Sequence, residues 1–240
     1  MASLSAAIMA HPSRGAFVEE LRDQLDREIP VSWDVEGPPS PDKEKRWRVG
    51  SAAWRMHGYS DWHMVIQDDT TVCGDLLAGL EKALDYVPDE IGLVQPYVGK
   101  NRPLGQHFVA LAGQAERAGA TWIQHRSLCW GVAIIARTAT IENMIGWCSK
   151  RVSLTYDSRV GRYYRDALGQ HTWYTWPSLV DHRNGPSLVG HGPGRVAHKP
   201  HLGSALELAW DGPVIRDRVP IRPGRQHPMR PTRPITRRPV

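Results

Sequence analysis

The chain has 240 residues, 41% of them apolar, enough to bury one sizeable core and so to form one globular domain with an appendage. Its three cysteines, Cys73, Cys129 and Cys148, lie far apart with no C-x-x-C spacing, which argues against a disulfide framework and a cysteine zinc site and fits a reducing compartment. The formal net charge of +5 is carried by the C-terminus: seven arginines and no acid fall in residues 218–240, leaving the rest of the chain at −2.

The N-terminus lacks a basic leader, and no stretch reaches the roughly 18 apolar residues of a membrane span, so a soluble, cytoplasmic protein is expected. Residues 4–10 form a short apolar run closed by His11-Pro12-Ser13-Arg14-Gly15, after which Phe17, Val18, Leu21 and Leu25 recur at helical spacing. The pattern predicts strand, loop and helix. Residues 30–35 predict a second strand, followed by a proline-rich turn at 37–41 and a basic stretch at 43–48 that could lie over phosphates. A helix is expected over 50–57, then a buried strand over 62–66 that ends abruptly in Asp68-Asp69. Acids at a strand's carboxyl end sit where open α/β sheets bind ligands.

Residues 76–86 predict an amphipathic helix, 91–98 a strand and 105–118 another helix. Strand material at 121–126 and 131–136 surrounds Trp130-Gly131, helices are expected over 140–150 and 158–168, and an aromatic strand over 171–176 runs into residues 177–182. Roughly six strands alternating with five helices imply a three-layer α/β/α domain over residues 1–203. Residues 204–240 are expected to form an extended or disordered tail, because its prolines remove backbone donors and its arginines repel one another.

No G-x-G-x-x-G follows the first strand and no G-x-x-x-x-G-K-[ST] occurs, which leaves a divalent metal on carboxylates, helped by arginines, as the means of neutralising a diphosphate. Gln67-Asp68-Asp69 follows four apolar residues and precedes Thr70-Thr71, so its carboxylates are held on a strand edge suited to a hard cation. Successive strand residues point to opposite faces, so one carboxylate, assigned to Asp69, meets the metal while Gln67 and Asp68 reach toward ribose or sugar hydroxyls. The alternative is that the acids only cap the next element. Arg46, Arg48 and Arg55 either meet phosphates or the acceptor, or form a solvated basic face. Of the ten tryptophans, at most two are assigned to ligand stacking, with Trp122, Trp130, Trp173 and Trp176 as the candidates; the rest belong to the core. His182, His191, His198 and His201 are spaced nine, seven and three apart, which matches no standard helical metal pair, so a structural zinc cluster is not expected there.

Taken in order, His11-Pro12-Ser13-Arg14 after strand one, Asp34 near the end of strand two, the triplet ending an apolar strand, Trp130-Gly131, Tyr156-Asp157 and the late Pro177-x-x-x-x-His182 resemble the GT-A glycosyltransferases over residues 4–200. More narrowly, Trp176-Pro177-Ser178-Leu179-Val180-Asp181-His182 followed by Ser187-Leu188-Val189-Gly190-His191 is similar to the small glycosyltransferases of actinobacterial phages and their relatives. The resemblance implies a GT-A-like fold and a manganese or magnesium ion held by Asp69 and His182 between the donor's two phosphates. It puts His11 to Arg14 in a nucleotide-contacting loop, Asp34 near the base, and Gln67 where an acid is commoner. It also puts Trp130-Gly131 at an acceptor-side turn, Trp176 in a segment that closes the site, and Asp157 at the general base of an inverting reaction. Without it, Asp157 is equally a helix N-cap.

The implied activity is transfer of a sugar from a nucleotide-diphosphosugar to a hydroxyl. A polyanionic acceptor such as hydroxymethylated pyrimidine in phage DNA would give the basic tail a partner; a protein or glycan acceptor is the alternative. A nucleotidyltransferase is disfavoured by the glycine-poor loop after strand one. A non-enzymatic nucleic-acid-binding protein with a structural acidic triplet is the reading from another class.

Overall fold

The computed structural model describes residues 1–34, 43–100, 105–183 and 196–217. Their elements run β1 (Leu4–Ala10), α1 (Gly15–Gln24), β2 (Val31–Trp33), α2 (Lys43–Trp54), β3 (Trp62–Gln67), β4 (Thr70–Val72), α3 (Leu76–Leu84), β5 (Leu93–Gln95), α4 (Gly105–Ala118), β6 (Trp122–His125), β7 (Ala133–Arg137), α5 (Ile141–Cys148), α6 (Tyr156–Arg162), β8 (Thr172–Thr175), β9 (Val180–His182) and β10 (Val214–Arg216). Eight strands form one mixed sheet in the order β10-β6-β8-β5-β7-β3-β1-β2, and β4 pairs with β9 in a separate ribbon. Parallel pairings join β2 to β1, β1 to β3, β5 to β8 and β6 to β10, while β3–β7, β7–β5 and β8–β6 are antiparallel. Strands β1, β2, β3, β5 and β8 therefore point one way and β7, β6 and β10 the other.

Strand alternation explains why β1 and β3 are almost continuously apolar. Leu4, Ala6, Ile8, Trp62, Met64 and Ile66 pack with α1, α3 and α4 through Val18, Leu21, Leu76, Leu80 and Phe108. The intervening Ala7, Met9 and Val65 pack on the opposite face with α2, α5 and α6 through Trp47, Trp54, Met144, Tyr156 and Val160. With helices on both faces, each strand needs apolar residues at every position, and each large side chain so buried stabilises by about 1.5–3 kcal/mol. The three-layer α/β/α architecture expected from the alternation is thus observed.

The one polar residue inside this pattern on β3 is His63, which is fully buried. Its Nε2 lies 2.9 Å from the Ala53 carbonyl on α2 and its Nδ1 2.8 Å from Ser5 Oγ on β1. Nε2 then carries the proton and Nδ1 accepts, so a neutral ring ties two strands to a helix. Burial pushes its pKa down to about 4.

Three differences from the sequence expectations have simple causes. The helix expected over 50–57 begins at Lys43, because the basic stretch forms the first turns of α2 while Trp47, Val49 and Ala53 supply its buried side. The acidic triplet is followed by the β4–β9 ribbon, in which Thr70 pairs with His182. Residues 204–217, grouped with the tail by the expectation, belong to the fold. Ser204 caps a short turn at Ala205–Glu207, and Ala205 packs so closely on α3 that a Cβ at Gly79 would stand 2.2 Å from its own. Trp210 is buried against Trp122, whose Nε1 donates to the Trp210 carbonyl at 3.1 Å, and β10 then pairs with β6. Arginine and proline become dense only from residue 218, and residues 218–240 lie outside the described residues. Among the described residues, no helix is long and apolar enough to cross a membrane.

Candidate active site

The chain leaves β1 for β2 on one side, whereas β3 flanks β1 on the other, and a crevice opens at such a reversal outside the carboxyl ends of the strands. His11 follows β1, Asp34 follows β2 and Gln67-Asp68-Asp69 ends β3, so the topology alone gathers them. Backbone bonds fix the edge: Asp34 N donates to the Ala10 carbonyl at 2.9 Å and Asp68 N to the Met9 carbonyl at 3.2 Å. Pro12 starts a short turn whose cap, His11, accepts through Nδ1 from Ser13 N at 3.2 Å and contacts Ser13 Oγ at 2.8 Å. His11 N donates to Asp68 Oδ2 at 2.8 Å. The turn aims Arg14 back at the acids, where Nη1 reaches Asp68 Oδ1 at 2.8 Å and Asp69 Oδ2 at 2.6 Å.

Both acids are buried, Asp68 to 4% and Asp69 to 7% exposure. Burial raises the Asp68 pKa above the ordinary carboxylate value, against the opposing pull of the His11 N–H and Arg14. Asp69 is held differently. Arg183 N donates to its backbone carbonyl at 2.8 Å, and the β4–β9 register sets His182 Nε2 3.4 Å from Asp69 Oδ2. His182 Nδ1 lies 2.9 Å from the Arg183 carbonyl and therefore donates there. In a neutral ring this leaves the Nε2 lone pair facing a carboxylate oxygen, an arrangement relieved by a cation shared between them. Asp69 Oδ1 is buried with no hydrogen-bond partner among the described residues, as is His11 Nε2. A carboxylate with one oxygen orphaned and the other facing an imidazole lone pair fits a divalent metal of manganese or magnesium type, with Arg14 supplying positive charge at the shared Oδ2.

The second half of the crevice comes from β7, which starts where β3 ends because the two are antiparallel. Gln67 N donates to the Val132 carbonyl at 2.9 Å. A Cβ at Gly131 would lie 3.1 Å from Gln67 Nε2, 3.5 Å from Asp157 Cβ and 3.7 Å from Tyr156 Cδ1, so Gly131 leaves room for the triplet and the start of α6 to meet. Asp157 is not the helix N-cap; Thr155 occupies that position. Asp157 Oδ1 accepts from Thr155 Oγ1 at 2.6 Å and Ser158 N at 2.9 Å, while Oδ2 has no hydrogen bond among the described residues. The side chain is half-buried, with one oxygen oriented locally and the other available.

The remaining sequence candidates have other described surroundings. Trp130 is buried with its ring against Tyr97, Phe108 and Tyr174, and its carbonyl accepts from Gln95 Nε2, while its neighbour Gly131 lies between Gln67 and Asp157. Trp176 is buried beside His198, and Arg48 is exposed on α2. Of the four late histidines, His201 binds the Ser204 carbonyl, His198 neighbours Trp176 and His182 faces Asp69; His191 lies outside the described residues.

Two positioning contacts carried no sequence signal. Arg159, fully buried on α6, pairs with Glu44 of α2, donates to the carbonyls of Leu154 and Val152 at 3.1 and 3.0 Å, and lies over the Trp47 ring. It holds the turn that presents Asp157. Asp181 Oδ1 accepts from His182 N at 2.7 Å and Ala197 N at 2.6 Å, which fixes the end of β9.

No protein-family profile matches the chain, and no curated protein matches it. Among solved structures it is similar to "WbbM bifunctional glycosytransferase apo structure", at 9% identity and a TM-score of 0.35, covering 62% of this chain and 34% of that one. It is also similar to a glycosyltransferase involved in the glycosylation of the major capsid of PBCV-1, at 9% identity and a TM-score of 0.31, covering 67% of this chain and 74% of that one. The chain thus spans about a third of the length of the first. Both likenesses are slight, and it is the geometry of the strand ends that bears on function.

Proposed function

We propose that the chain is a metal-dependent glycosyltransferase of GT-A type, which moves a sugar from a nucleotide-diphosphosugar to a hydroxyl acceptor. The observation that carries this is the pairing of a buried Asp69, whose Oδ1 is unsatisfied and whose Oδ2 faces His182 Nε2, with an available Asp157 Oδ2 across Gln67 and Gly131. One half suits a cation and a diphosphate, the other a proton acceptor.

Asp69 and His182 would hold the ion, which when bound supplies positive charge to the departing diphosphate. Arg14, already drawn to the crevice by two carboxylates, adds a fixed guanidinium for phosphate oxygens. His11 to Ser13 and Asp34 line the nucleotide side, and Gln67 and Asp68 face ribose or donor sugar. Asp157 Oδ2 takes the acceptor's hydroxyl proton as that oxygen attacks the anomeric carbon, while the contacts at Oδ1 keep the carboxylate oriented. A base on the face opposite the leaving group gives inversion.

The test is transfer, or hydrolysis, of uridine, guanosine, thymidine and cytidine diphosphosugars with manganese. Turnover that depends on the metal and disappears in Asp69→Ala is the expected result; no turnover of any donor, with the chain folded, would overturn the reading.

For the acceptor we favour hydroxymethylated pyrimidine in phage DNA, because the arginines of residues 218–240 match a polyanion. A chain ending after Asp217 keeps β10 and removes those arginines. Loss of salt-sensitive DNA binding in that truncation is expected, and unchanged binding would turn the assignment to a protein or glycan acceptor.

A further inference from the structure

At the opposite end of the sheet, three side chains from separate elements converge. His107 lies in the first turn of α4, His125 ends β6 and Asp217 follows β10. Because β6 and β10 run against β1 and β3, their carboxyl ends lie at the far edge from the acidic triplet. His125 Nε2 is 3.3 Å from Asp217 Oδ2 and His107 Nε2 is 3.6 Å from Asp217 Oδ1. The three ligating atoms all fall within 4.8 Å of one another, and the two imidazole rings are 5.5 Å apart.

We propose that His107, His125 and Asp217 form a transition-metal site of zinc type, independent of the catalytic crevice, that fastens the C-terminal strand to the sheet.

The separations support this reading. Contacts of 3.3 and 3.6 Å are long for charge-assisted hydrogen bonds. Ligands bound tetrahedrally at about 2.0–2.2 Å stand about 3.3–3.6 Å apart, and each imidazole stands at that spacing from one Asp217 oxygen, His125 from Oδ2 and His107 from Oδ1. Two imidazoles and one carboxylate make an N₂O set of the kind zinc takes, with a fourth position for water. The orientation of the rings agrees. His107 Nε2 is buried with no hydrogen-bond partner among the described residues. His125 Nδ1 lies 3.0 Å from the Ser127 carbonyl, and donating to it fixes the tautomer whose Nε2 lone pair faces Asp217. The competing arrangement, in which Nδ1 accepts from Ser127 N at 3.1 Å, makes Nε2 a plain donor and predicts no metal. His107 is 40% exposed, which gives an ion a way in, whereas His125 and Asp217 are buried to 2% and 4%. An ion there would tie α4, β6 and the residue that follows β10, beyond the packing of Trp210 and the pairing of the three-residue β10 at the sheet edge.

The test uses the full-length chain and zinc alone. After loading and dialysis, wild type and Asp69→Ala are each expected to retain one zinc per chain, whereas His107→Ala and Asp217→Asn lose it or bind at least tenfold more weakly. Saturating zinc is expected to raise Tm by about 5–10 °C in wild type and not in His107→Ala. His107 is partly exposed, so that variant keeps the fold, and cobalt substitution supplies a second readout through the visible bands of a tetrahedral N/O site. Failure of wild type to retain zinc, or equal retention by His107→Ala and Asp217→Asn, would overturn the proposal. Loss in Asp69→Ala alone would do the same and place the ion in the crevice.

Discussion

The two ends of the sheet hold the same kinds of side chain, carboxylate and imidazole, and differ in how the chain assembles them. At the end of β3 the acids are adjacent in sequence, and Arg14, brought in by the neighbouring parallel strand, already neutralises both. At the other end, His107, His125 and Asp217 are separated by 18 and 92 residues and meet only because α4, β6 and β10 share an edge. The first site takes His182, Gly131 and Asp157 from other elements, but its acids sit on one strand end beside the loop that carries Arg14. The second ties together three elements that end apart in the sequence. The first arrangement suits turnover and the second suits stability, and variants at each end should separate along that line.

The largest effect is expected from Asp69→Ala. Under the proposed function, Asp69 would hold an ion that stabilises leaving-group charge, and its removal is expected to lower sugar transfer by about 10³-fold or more. Arg14 keeps Asp68 as a partner, so the variant should melt close to wild type, and calorimetry beside an activity assay checks both halves. Asp157→Asn comes next. The amide preserves the contact with Thr155 but cannot take a proton, so kcat should fall by about 10²–10⁴-fold with KM little changed. A KM effect of similar size would make Asp157 a binding residue rather than the base.

Stability supplies the middle of the range. The unfolded chain takes up the His63 proton near pH 6.5 and the folded chain only near 4, so the neutral ring's contribution is complete above pH 6.5. It is lost as pH falls from 6.5 to 4, a change of about 3 kcal/mol. Denaturant unfolding across that interval should follow this slope, and His63→Gln should flatten it. Because His63 lies on β3, activity lost in the same interval has to be compared with folded fraction before it is assigned to the crevice.

The sheet's alternation was legible because apolar runs near 4–10 and 62–66, bounded by His11-Pro12 and Asp68-Asp69, signal buried strands without any tertiary information. The meeting of His11, Arg14 and the acids follows from the parallel pairing of β1 and β3, whereas the sequence placed His11 to Arg14 only by resemblance, in a nucleotide-contacting loop. The features that stayed hidden depend on long-range pairing. The Glu44–Arg159 pair joins residues 115 apart, and neither shows periodicity that names the other. The β4–β9 ribbon is two three-residue strands whose pairing puts His182 on Asp69, and strands so short carry almost no alternation signal. At Trp130-Gly131 the large ring packs in the core and the glycine lies between Gln67 and Asp157, a division of roles that a dipeptide does not announce. Residues 204–217 were obscured by the arginine- and proline-rich composition of residues 218–240; Ala205, Trp210, Val214 and Ile215 are ordinary anchors once those arginines are set aside.

Two glycines give the finest test of the contrast between rigid site and structural clamp. At Gly79 a Cβ would stand 2.2 Å from Ala205 Cβ and 2.7 Å from the Ala205 carbonyl carbon, so Gly79→Ala must push the 204–217 segment off α3 and is expected to cost about 1–3 kcal/mol. At Gly131 the added carbon would meet the Gln67 amide at 3.1 Å and Asp157 Cβ at 3.5 Å. A side-chain amide can yield by a few tenths of an ångström, so Gly131→Ala should leave Tm near wild type. The displacement nevertheless falls between Gln67 and Asp157, where reacting groups have to be held closely, and transfer should drop by about tenfold. If Gly131→Ala instead melts early with normal turnover per folded molecule, the gap between β7 and α6 is a packing feature. The proton acceptor would then have to be sought elsewhere than Asp157.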